Sequence, residues 1–460
     1  MIALAPVSAS TAAAALAVAI ALPVGARLLW RGRPRQVHRR GALIKHSRRP
    51  VTTRLLNRWR SGAHQITLAG IGVAPIDEVK HFKLIGTTGT GKSTAIRELL
   101  AAALQRGDRA IISDPDAGYH ARFYRRYRGD IVLNPFEPDS VQWNPFAEVS
   151  NSYDIEQLAS ALIPVSDDPS TREWRAYART FFTAVLRRCH AQGGCGLAEL
   201  WRLLATATTD ELRAVVAGSS AQPFLDADNA RMFGSIRSVL LSAIAALEYI
   251  KGQRKLPFSV REWVRSGRGV LFIPYQAGQI AALRSMIATW MRLAIVEALS
   301  QRENVDQRLW FVVDELDALG AIDGLKDALT RLRKFGGRCV LGFQSVAQVS
   351  STYGAGEAQT IVENCGNTLI LRCSGSENGG TSQFAARLIG EREVMRRQTS
   401  RGRDREQGLT AHGARRSLQV SEQHATEMAL MPSEVEQLPD LCGYLKLAGS
   451  PSWRRVSLQR

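Results

Sequence analysis

The sequence contains one glycine-rich segment whose residue types suit the binding of a nucleoside triphosphate. Residues 86–93 read GTTGTGKS, between an apolar run at 82–85 that predicts a strand and a helical pattern at 94–104. Glycines let successive backbone N–H groups turn toward phosphate oxygens, and the helix adds the positive end of its dipole. Lys92 would reach the β- and γ-phosphates, and the Ser93 hydroxyl would bind Mg²⁺. The predicted nucleotide-binding residues are Gly86, Thr87, Thr88, Gly89, Thr90, Gly91, Lys92, Ser93 and Thr94.

A pair of carboxylates follows a second apolar run later in the sequence. Five apolar residues at 309–313 predict a strand covered on both faces, and Asp314 and Glu315 come directly after it. Asp314 would hold the metal ion, and Glu315 stands where a general base could polarise the attacking water. The two motifs together predict that ATP or GTP is bound with Mg²⁺ and hydrolysed.

Two further polar positions flank the next predicted strand. Gln344 follows an apolar run at 339–343, and its amide could hydrogen-bond the attacking water or the γ-phosphate. The helix predicted over 323–335 ends with Arg331, Arg333 and Lys334. Two interpretations of these charges stay open. They stabilise the carboxyl end of their own helix, or an arginine reaches the nucleotide of a neighbouring subunit.

Strand and helix patterns alternate along the chain, which predicts an α/β fold with a central, mostly parallel sheet and helices on both faces. Residues 151–257 show helical periodicity without a strand pattern, so we expect an inserted all-α domain. It would divide the nucleotide-binding domain into 76–150 and 258–460. The arginine-rich stretch at 392–416 is predicted to be a mobile basic loop. Strands are predicted at 110–113, 131–133, 270–273, 309–313, 340–343 and 368–371.

The beginning of the chain joins an uncharged stretch to a strongly basic one. Residues 1–26 carry no charge, and 1–30 are long enough for one transmembrane helix as an anchor. The arginines that follow place the N-terminus outside and the rest of the chain in the cytoplasm. The formal net charge is +18, and no Asp or Glu precedes Asp77. The basic juxtamembrane segment at 31–75 could be a solvated arm, or it could contact anionic lipid or nucleic-acid phosphates.

A shorter basic segment interleaves arginines with aromatic residues. The pattern suits stacking on bases and contact with the phosphates of single- or double-stranded DNA, without recognition of sequence. Packing of the aromatic rings under the sheet is the alternative. The arginines are Arg122, Arg125 and Arg126, and the aromatic residues are Phe123, Tyr124 and Tyr127.

Several motifs, in order from about residue 80, resemble those of type IV coupling proteins of the TraD/TrwB class. They are GTTGTGKST at 86–94, SDPDAGY at 113–119, NPF at 134–136 and 144–146, VVDELDALG at 312–320 and LGFQS at 341–345. The resemblance implies a RecA-like P-loop NTPase domain, interrupted by the all-α domain, in a homo-hexameric ring on the bacterial inner membrane. It also implies that ATP drives single-stranded DNA through the ring, which links a relaxosome and its relaxase to a type IV secretion channel.

The resemblance also suggests a role for one arginine. The trans-acting arginine of these proteins lies in the helix before the glutamine-bearing strand; Arg333 matches that place, with Arg331 as reserve. Members of the family usually carry two membrane helices, whereas this sequence has one candidate span. The alternative functions are another hexameric DNA-translocating P-loop ATPase outside conjugation and an ATPase that energises protein secretion.

Overall fold

The structure is a computed structural model that describes residues 36–46, 65–166, 168–193, 195–252, 256–376, 380–404 and 415–459. The described residues form two compact units. The smaller unit lies within Met1–Leu43 and Ile389–Leu430, and the larger lies within Ile44–Leu388 and Met431–Arg460. The predicted membrane anchor at 1–30 falls outside the described residues.

Most strands belong to one sheet of the larger unit. In chain order the strands are β1 (Gln36–Gly41), β2 (Ile44–His46), β3 (Thr67–Leu68), β4 (Ile71–Gly72), β5 (Phe82–Ile85), β6 (Arg109–Pro115), β7 (Ile131–Val132), β8 (Gln142–Trp143), β9 (Pro257–Phe258), β10 (Val270–Tyr275), β11 (Leu309–Val313), β12 (Gly337–Phe343), β13 (Asn367–Ile370), β14 (Glu391–Asp404), β15 (Arg415–Met428), β16 (Cys442–Lys446) and β17 (Trp453–Ser457). The sheet has the order β2-β17-β16-β13-β5-β12-β11-β6-β10-β7.

Helices cover this sheet and form the insertion. In chain order they are α1 (Pro75–Glu78), α2 (Lys92–Gln105), α3 (Gly118–Phe123), α4 (Ser152–Leu162), α5 (Pro169–Gln192), α6 (Leu197–Ala205), α7 (Thr209–Val216), α8 (Ala230–Ile244), α9 (Val260–Ser266), α10 (Ile280–Ser300), α11 (Leu325–Arg331), α12 (Val346–Tyr353), α13 (Ala355–Asn364), α14 (Gly380–Ile389) and α15 (Pro432–Glu436).

The central strands of the sheet, from β13 to β7, run parallel. Strands β5, β11 and β12 are buried along their whole length, as expected for strands covered by helices on both faces. Parallel neighbours end at the same edge of a sheet, so the residues that follow β5, β12, β11 and β6 lie side by side. The predicted α/β fold with a mostly parallel sheet is confirmed.

Helix α2 packs one face against the sheet because its apolar residues recur at helical spacing. Ile96, Leu99, Leu100 and Ala103 are all buried, and they contact the core that includes Trp310 of β11. Full burial of each large aliphatic side chain contributes about 1.5–3 kcal/mol. This packing fixes the start of α2 relative to the ends of β5 and β11.

The described residues between 152 and 250 form helices joined by turns and loops, without a strand. The predicted all-α domain is confirmed. Its longest helix, α5, has clear end signals. Asp168 accepts a hydrogen bond from the Thr171 backbone N–H at 2.9 Å, Pro169 occupies the first turn, and Gly193 ends the helix with a φ of 64°.

A buried network of charges joins the insertion to the sheet domain. Arg261 of α9 donates to the Asp154 carboxylate of α4 at 2.5 Å and to Glu297 of α10 at 2.9 Å. Glu148 accepts hydrogen bonds from the backbone N–H groups of Val260 and Arg261. The entry and exit segments of the insertion are therefore held together by paired charges that are out of contact with water.

The described residues within 392–416 do not form the loop that the sequence predicted. Residues Glu391–Asp404 and Arg415–Met428 are the strands β14 and β15, which pair antiparallel, and β1 pairs with β14. Arg392 and Arg396 pair with Glu427 on the neighbouring strand. A cross-strand acid offsets the basic residues here, which is why a high arginine content did not imply a mobile loop.

The nucleotide-binding domain begins earlier than residue 76, because Ile66, Leu68 and Val73 are buried in its core and Thr67 bonds to Glu98 of α2. In the described part of the chain, 227–249 is long and apolar enough by composition to span a membrane, but α8 within it buries one face in the insertion.

Candidate nucleotide-binding site

The glycine-rich loop adopts a conformation that needs glycine at several positions. Gly89 and Gly91 have φ angles of 78° and 116°, which L side chains rarely adopt. A Cβ at Gly91 would lie 2.8 Å from the Leu441 side chain, and one at Gly86 would lie 2.8 Å from the Thr90 hydroxyl oxygen. The loop is therefore closely packed on one side, and the N–H groups of Thr88, Gly89 and Gly91 donate to no residue that the structure describes.

Segments distant in sequence brace this loop. The Thr87 backbone N–H donates to the Arg372 carbonyl oxygen at 2.9 Å, just after β13. The Leu441 N–H donates to the Thr90 carbonyl oxygen at 2.9 Å. Nothing in the sequence pattern around Arg372 or Leu441 signalled this contact, because it arises from the tertiary fold.

Lys92 begins α2 and folds back over the loop. Its ammonium group donates to the carbonyl oxygens of Gly86 at 2.6 Å and Thr87 at 3.2 Å. Burial lowers the pKa of Lys92, and the nearby carboxylates of Asp314 and Glu315 partly oppose that shift. A cation held by carbonyl groups beside open N–H groups can transfer to phosphate oxygens, which are stronger acceptors.

Asp314 receives two hydroxyl donors on one oxygen. Ser93, in the first turn of α2 with Thr94, donates to Oδ2 at 2.6 Å, and Tyr119 donates to the same atom at 2.7 Å. The other oxygen, Oδ1, is buried and has no partner within the described residues. A hydroxyl, a buried carboxylate oxygen without a partner and the phosphates of a nucleotide form a suitable oxygen set for Mg²⁺.

Gly342 of β12 allows the Asp314 turn to pass close by. A Cβ at Gly342 would lie 2.1 Å from the Asp314 carbonyl oxygen, and the Leu316 N–H donates to the Gly342 carbonyl at 2.9 Å. Gly342 belongs to the LGFQS motif, but the motif alone did not indicate its role. Its position between two apolar strand residues was the available signal.

Gln344 connects the glycine-rich loop to the carboxylate pair. Its amide nitrogen donates to Glu315 at 3.3 Å, and its amide oxygen accepts from the Thr88 hydroxyl at 3.0 Å. Burial and the nearby carboxylates of Asp314 and Asp317 raise the pKa of Glu315. The strand order explains this arrangement, since β12 lies between β5 and β11.

Tyr119 was missed by the sequence analysis as a site residue. It lies on α3, and its backbone N–H and that of His120 donate to the Asp114 carboxylate at 2.9 and 2.6 Å. Burial raises the pKa of Asp114 to about 6. Asp114 follows the apolar run of β6 just as Asp314 follows β11, and that parallel could have pointed to this corner.

Arg331 and Arg333 do not belong to the site of their own chain. Both side chains are exposed, and neither forms an ion pair with any residue that the structure describes. They precede β12, whereas Gln344 follows it, and seven strand residues span roughly 20 Å. Either arginine could reach a nucleotide only in another copy of the chain.

The second basic segment separates into packed and exposed residues. Phe123 and Tyr124 pack against the core, as the alternative interpretation expected. Arg122, Arg125 and Arg126 are exposed, and Tyr127 is 89% exposed. Arg125 and Arg126 lead into the amino end of β7, whereas Arg122 lies on α3, the helix that carries Tyr119.

A parallel sheet with a glycine-rich loop after one strand, carboxylates after another and a glutamine-bearing strand between them defines a P-loop NTPase of the RecA-like class. The family model for the type IV secretion-system coupling protein DNA-binding domain matches residues 65–459. The chain belongs to this family.

Individual relatives agree with this assignment. The coupling protein TraD of Escherichia coli (strain K12) is 30% identical over 403 residues, covering 85% of this chain and 54% of TraD. The chain thus spans about half the length of that relative. The plasmid coupling protein TrwB in complex with the ATP analogue ADPNP is similar in structure, with a TM-score of 0.79, 30% identity and coverage of 93% of this chain and 95% of that one. TrwB in complex with ADP and Mg²⁺ has a TM-score of 0.78, 30% identity and coverage of 92% and 94%.

Proposed function

We propose that this chain is a membrane-anchored, ATP-driven DNA translocase, the coupling protein that passes single-stranded DNA to a type IV secretion channel. One observation carries the proposal most directly. Lys92, Ser93, Asp314, Glu315 and Gln344 converge at the carboxyl ends of three neighbouring strands, although up to 252 positions separate them (344 − 92). Such convergence is what hydrolysis of a nucleoside triphosphate requires.

The nucleotide would be ATP, with Mg²⁺. Lys92 and those loop N–H groups that donate to no carbonyl of the described residues would hold the phosphates. Ser93 and Asp314 would hold the metal ion. The buried oxygen of Asp314 without a partner and the bonds of Lys92 to loop carbonyls support this assignment. A bound Mg²⁺ would neutralise negative charge on the β- and γ-phosphates. The TrwB complexes with ADPNP and with ADP and Mg²⁺ point the same way.

Glu315 would orient the attacking water and take its proton. Because its pKa is raised, Glu315 is a stronger proton acceptor than a glutamate with an ordinary pKa. Gln344 would hold Glu315 in place and detect the γ-phosphate through Thr88, with which it already shares a hydrogen bond. In this scheme the state of the nucleotide determines the position of Gln344 and of the helix that follows it.

The active assembly would be a homo-hexamer in which Arg333 completes the site of a neighbour, with Arg331 as reserve. Support comes from the exposure of both arginines and from their position at the far end of β12. A cation supplied from a second subunit would stabilise the charge that develops during phosphoryl transfer.

DNA would be bound without recognition of sequence, in line with the net charge of +18. Arg122, Arg125 and Arg126 remain candidates for phosphate contact because they are exposed beside Tyr127. Residues 1–30 would anchor the protein in the bacterial inner membrane, with the ATPase in the cytoplasm. A relaxase in its relaxosome and a type IV secretion channel would be the partners.

The proposal is tested by steady-state ATP hydrolysis with and without single-stranded DNA. We expect DNA to stimulate turnover by the unmodified chain, and we expect Lys92→Ala and Glu315→Gln each to lower turnover about 10²-fold or more. Glu315→Gln should still bind ATP. Normal hydrolysis by Lys92→Ala would refute the assignment of the site.

A further inference from the structure

A basic cleft lies between the start of the insertion and the loop that follows the carboxylate pair. It has a volume of about 170 Å³. One wall is the end of α4 with Pro164, a second is the α10 face that carries Arg284 and Arg292, and a third is the loop from Leu319 to Asp323. All of these elements belong to the larger unit.

The cleft carries more positive charge than its neighbours neutralise. Arg292 forms an ion pair with Asp323, but its Nε atom is buried and has no partner within the described residues. Arg284 is exposed, and neither it nor Arg179 of α5 has a hydrogen bond or ion pair in the part of the chain that the structure describes. Burial lowers the pKa of Arg292, and the positive charge of Arg179 nearby lowers it further.

Arg175, one helical turn before Arg179, also faces this region. It donates a hydrogen bond to the carbonyl oxygen of Pro164, which lines the cleft. Arg284, Arg292 and Asp323 line the cleft itself. Arg179 and Asp327 of α11 lie close enough to Arg292 to influence its charge. Among these groups the arginines outnumber the aspartates, which favours an anion in the cleft.

One wall of the cleft is tied to the nucleotide site at both ends. Its loop begins a few residues after Glu315, and Tyr353 holds it from the other side. The Ile322 N–H donates to the Tyr353 hydroxyl oxygen at 3.1 Å, and that hydroxyl group donates to the Gly320 carbonyl at 3.4 Å. Tyr353 ends α12, which begins two residues after Gln344. Movement of Gln344 can therefore displace α12 and Tyr353, and with them the loop that carries Asp323.

We propose that this cleft binds the phosphodiester backbone of single-stranded DNA through Arg179, Arg284 and Arg292. Guanidinium groups bind phosphate through paired hydrogen bonds, and a cleft that is open to solvent can admit a polymer. Asp323 competes with DNA for Arg292, so movement of its loop with the nucleotide alters the grip on the strand. This inference rests on the proposed function and names the residues of the DNA path.

The test is fluorescence anisotropy of a labelled 30-nucleotide oligo-dT with the full chain at several salt concentrations. The double variant Arg179→Gln/Arg284→Gln breaks no internal ion pair of the described residues, so it should fold. We expect roughly tenfold weaker binding and a slope of log K against log salt that is less negative by about 1.4, since each lost phosphate contact removes about 0.7 from its magnitude. Arg188→Gln, an exposed arginine on the same helix α5, is the matched control and should bind like the unmodified chain.

A second variant has the opposite expected effect. Asp323→Asn frees Arg292 from its ion pair, so it should bind oligo-dT roughly threefold more tightly. Asp323 is 44% exposed on its side chain, and its loss should not affect folding. Weaker binding by Asp323→Asn would contradict the proposed competition.

The outcomes separate this inference from the proposed function. If the unmodified chain binds no DNA, both are refuted. If it binds DNA and the double variant matches it at every salt concentration, only the cleft is refuted, and an equal loss in Arg188→Gln has the same meaning. Displacement of oligo-dT by polyglutamate at equal charge concentration would replace DNA with an acidic protein as the ligand of the cleft.

Discussion

At Asp314 two hydroxyl groups share one carboxylate oxygen. Ser93 would turn to the metal ion when nucleotide binds, and Tyr119 would then remain as the donor that orients the carboxylate. Residues that orient a metal ligand commonly affect metal affinity by 10- to 100-fold. The side chain of Tyr119 is buried, and its hydroxyl group donates to the Asp314 carboxylate at 2.7 Å.

The first prediction concerns that hydroxyl. Tyr119→Phe removes one donor and little volume, so we expect Mg²⁺ to bind the ADP complex about tenfold more weakly while ADP alone binds unchanged. Isothermal titration with Mg²⁺ measures this effect. Tyr127→Phe, on a side chain exposed to solvent, is the control. Equal Mg²⁺ affinity in all three proteins would remove Tyr119 from the site.

The second prediction concerns backbone approach. Gly342→Ala would place a Cβ 2.1 Å from the Asp314 carbonyl oxygen, so the strand or the turn must shift. We expect a loss of about 3 kcal/mol in the free energy of unfolding, together with loss of ATP turnover. Urea unfolding measures the first quantity. Gly278→Ala meets no atom within 4 Å and should match the unmodified chain. A stable, active Gly342→Ala chain would contradict the described turn.

The sequence located most of the site because its residues follow apolar runs. Asp314 and Gln344 come directly after strands, and Lys92 ends the glycine-rich loop that follows β5. The ends of neighbouring parallel strands meet at one edge of the sheet. Tyr119 and Arg372 could not be found in this way. Tyr119 reaches Asp314 from a helix, and Arg372 contributes a backbone carbonyl, which is independent of residue type.

At the scale of elements, the insertion and the sheet domain meet through buried charge rather than apolar packing alone. Arg261 contacts Asp154 of the insertion and Glu297 of α10, and Arg265 also donates to Glu297. Helix α10 continues from this network to Arg292 and Arg284 in the cleft. One rigid helix thus connects the joint of the insertion to the proposed DNA contacts.

The third prediction concerns this joint. Arg261→Met leaves Asp154 and Glu297 buried with less compensation, so we expect about 3–5 kcal/mol lower stability. Denaturant unfolding followed by tryptophan fluorescence measures the change. Arg187→Gln breaks an exposed ion pair with Glu156 within the insertion and should leave the unfolding midpoint unchanged. A midpoint for Arg261→Met equal to that of the unmodified chain would show that the network is dispensable.

The hairpin of β14 and β15 shows where pattern reading failed. Its strands are rich in arginine, and apolar residues such as Val394 are too sparse for a clear alternation. The whole of β14 pairs with β15, and its first residues also pair with β1, which lies over 350 positions away in sequence. Local propensity carries little information about such pairing.

At the scale of the whole molecule, the proposed ring predicts that activity depends on two chains. Lys92→Ala chains cannot bind phosphate normally in their own site but still supply Arg333 to a neighbour. Arg333→Ala chains keep Lys92 in their own site but supply no arginine to a neighbour. Each variant alone should hydrolyse little ATP. In a 1:1 mixture that assembles randomly, about a quarter of sites combine an intact Lys92 with an intact neighbouring Arg333.

This mixing experiment is the fourth prediction. ATP turnover in the mixture should rise to a substantial part of one quarter of the turnover of the unmodified chain. Mixing Lys92→Ala with Glu315→Gln should restore no turnover, because both variants are defective in the same site. Equal inactivity of both mixtures would count against Arg333 as the trans-acting residue. Repeating the first mixture with Arg331→Ala in place of Arg333→Ala tests whether Arg331 is the trans-acting residue.

The central claim is that ATP hydrolysis at this site moves DNA. The most direct measurement is displacement of streptavidin from the end of a biotinylated single strand by the full chain. The account predicts displacement with ATP and Mg²⁺, and none with ADP or with the Lys92→Ala chain. Displacement that proceeds equally without ATP, or no displacement by a chain that hydrolyses ATP and binds DNA, would contradict it.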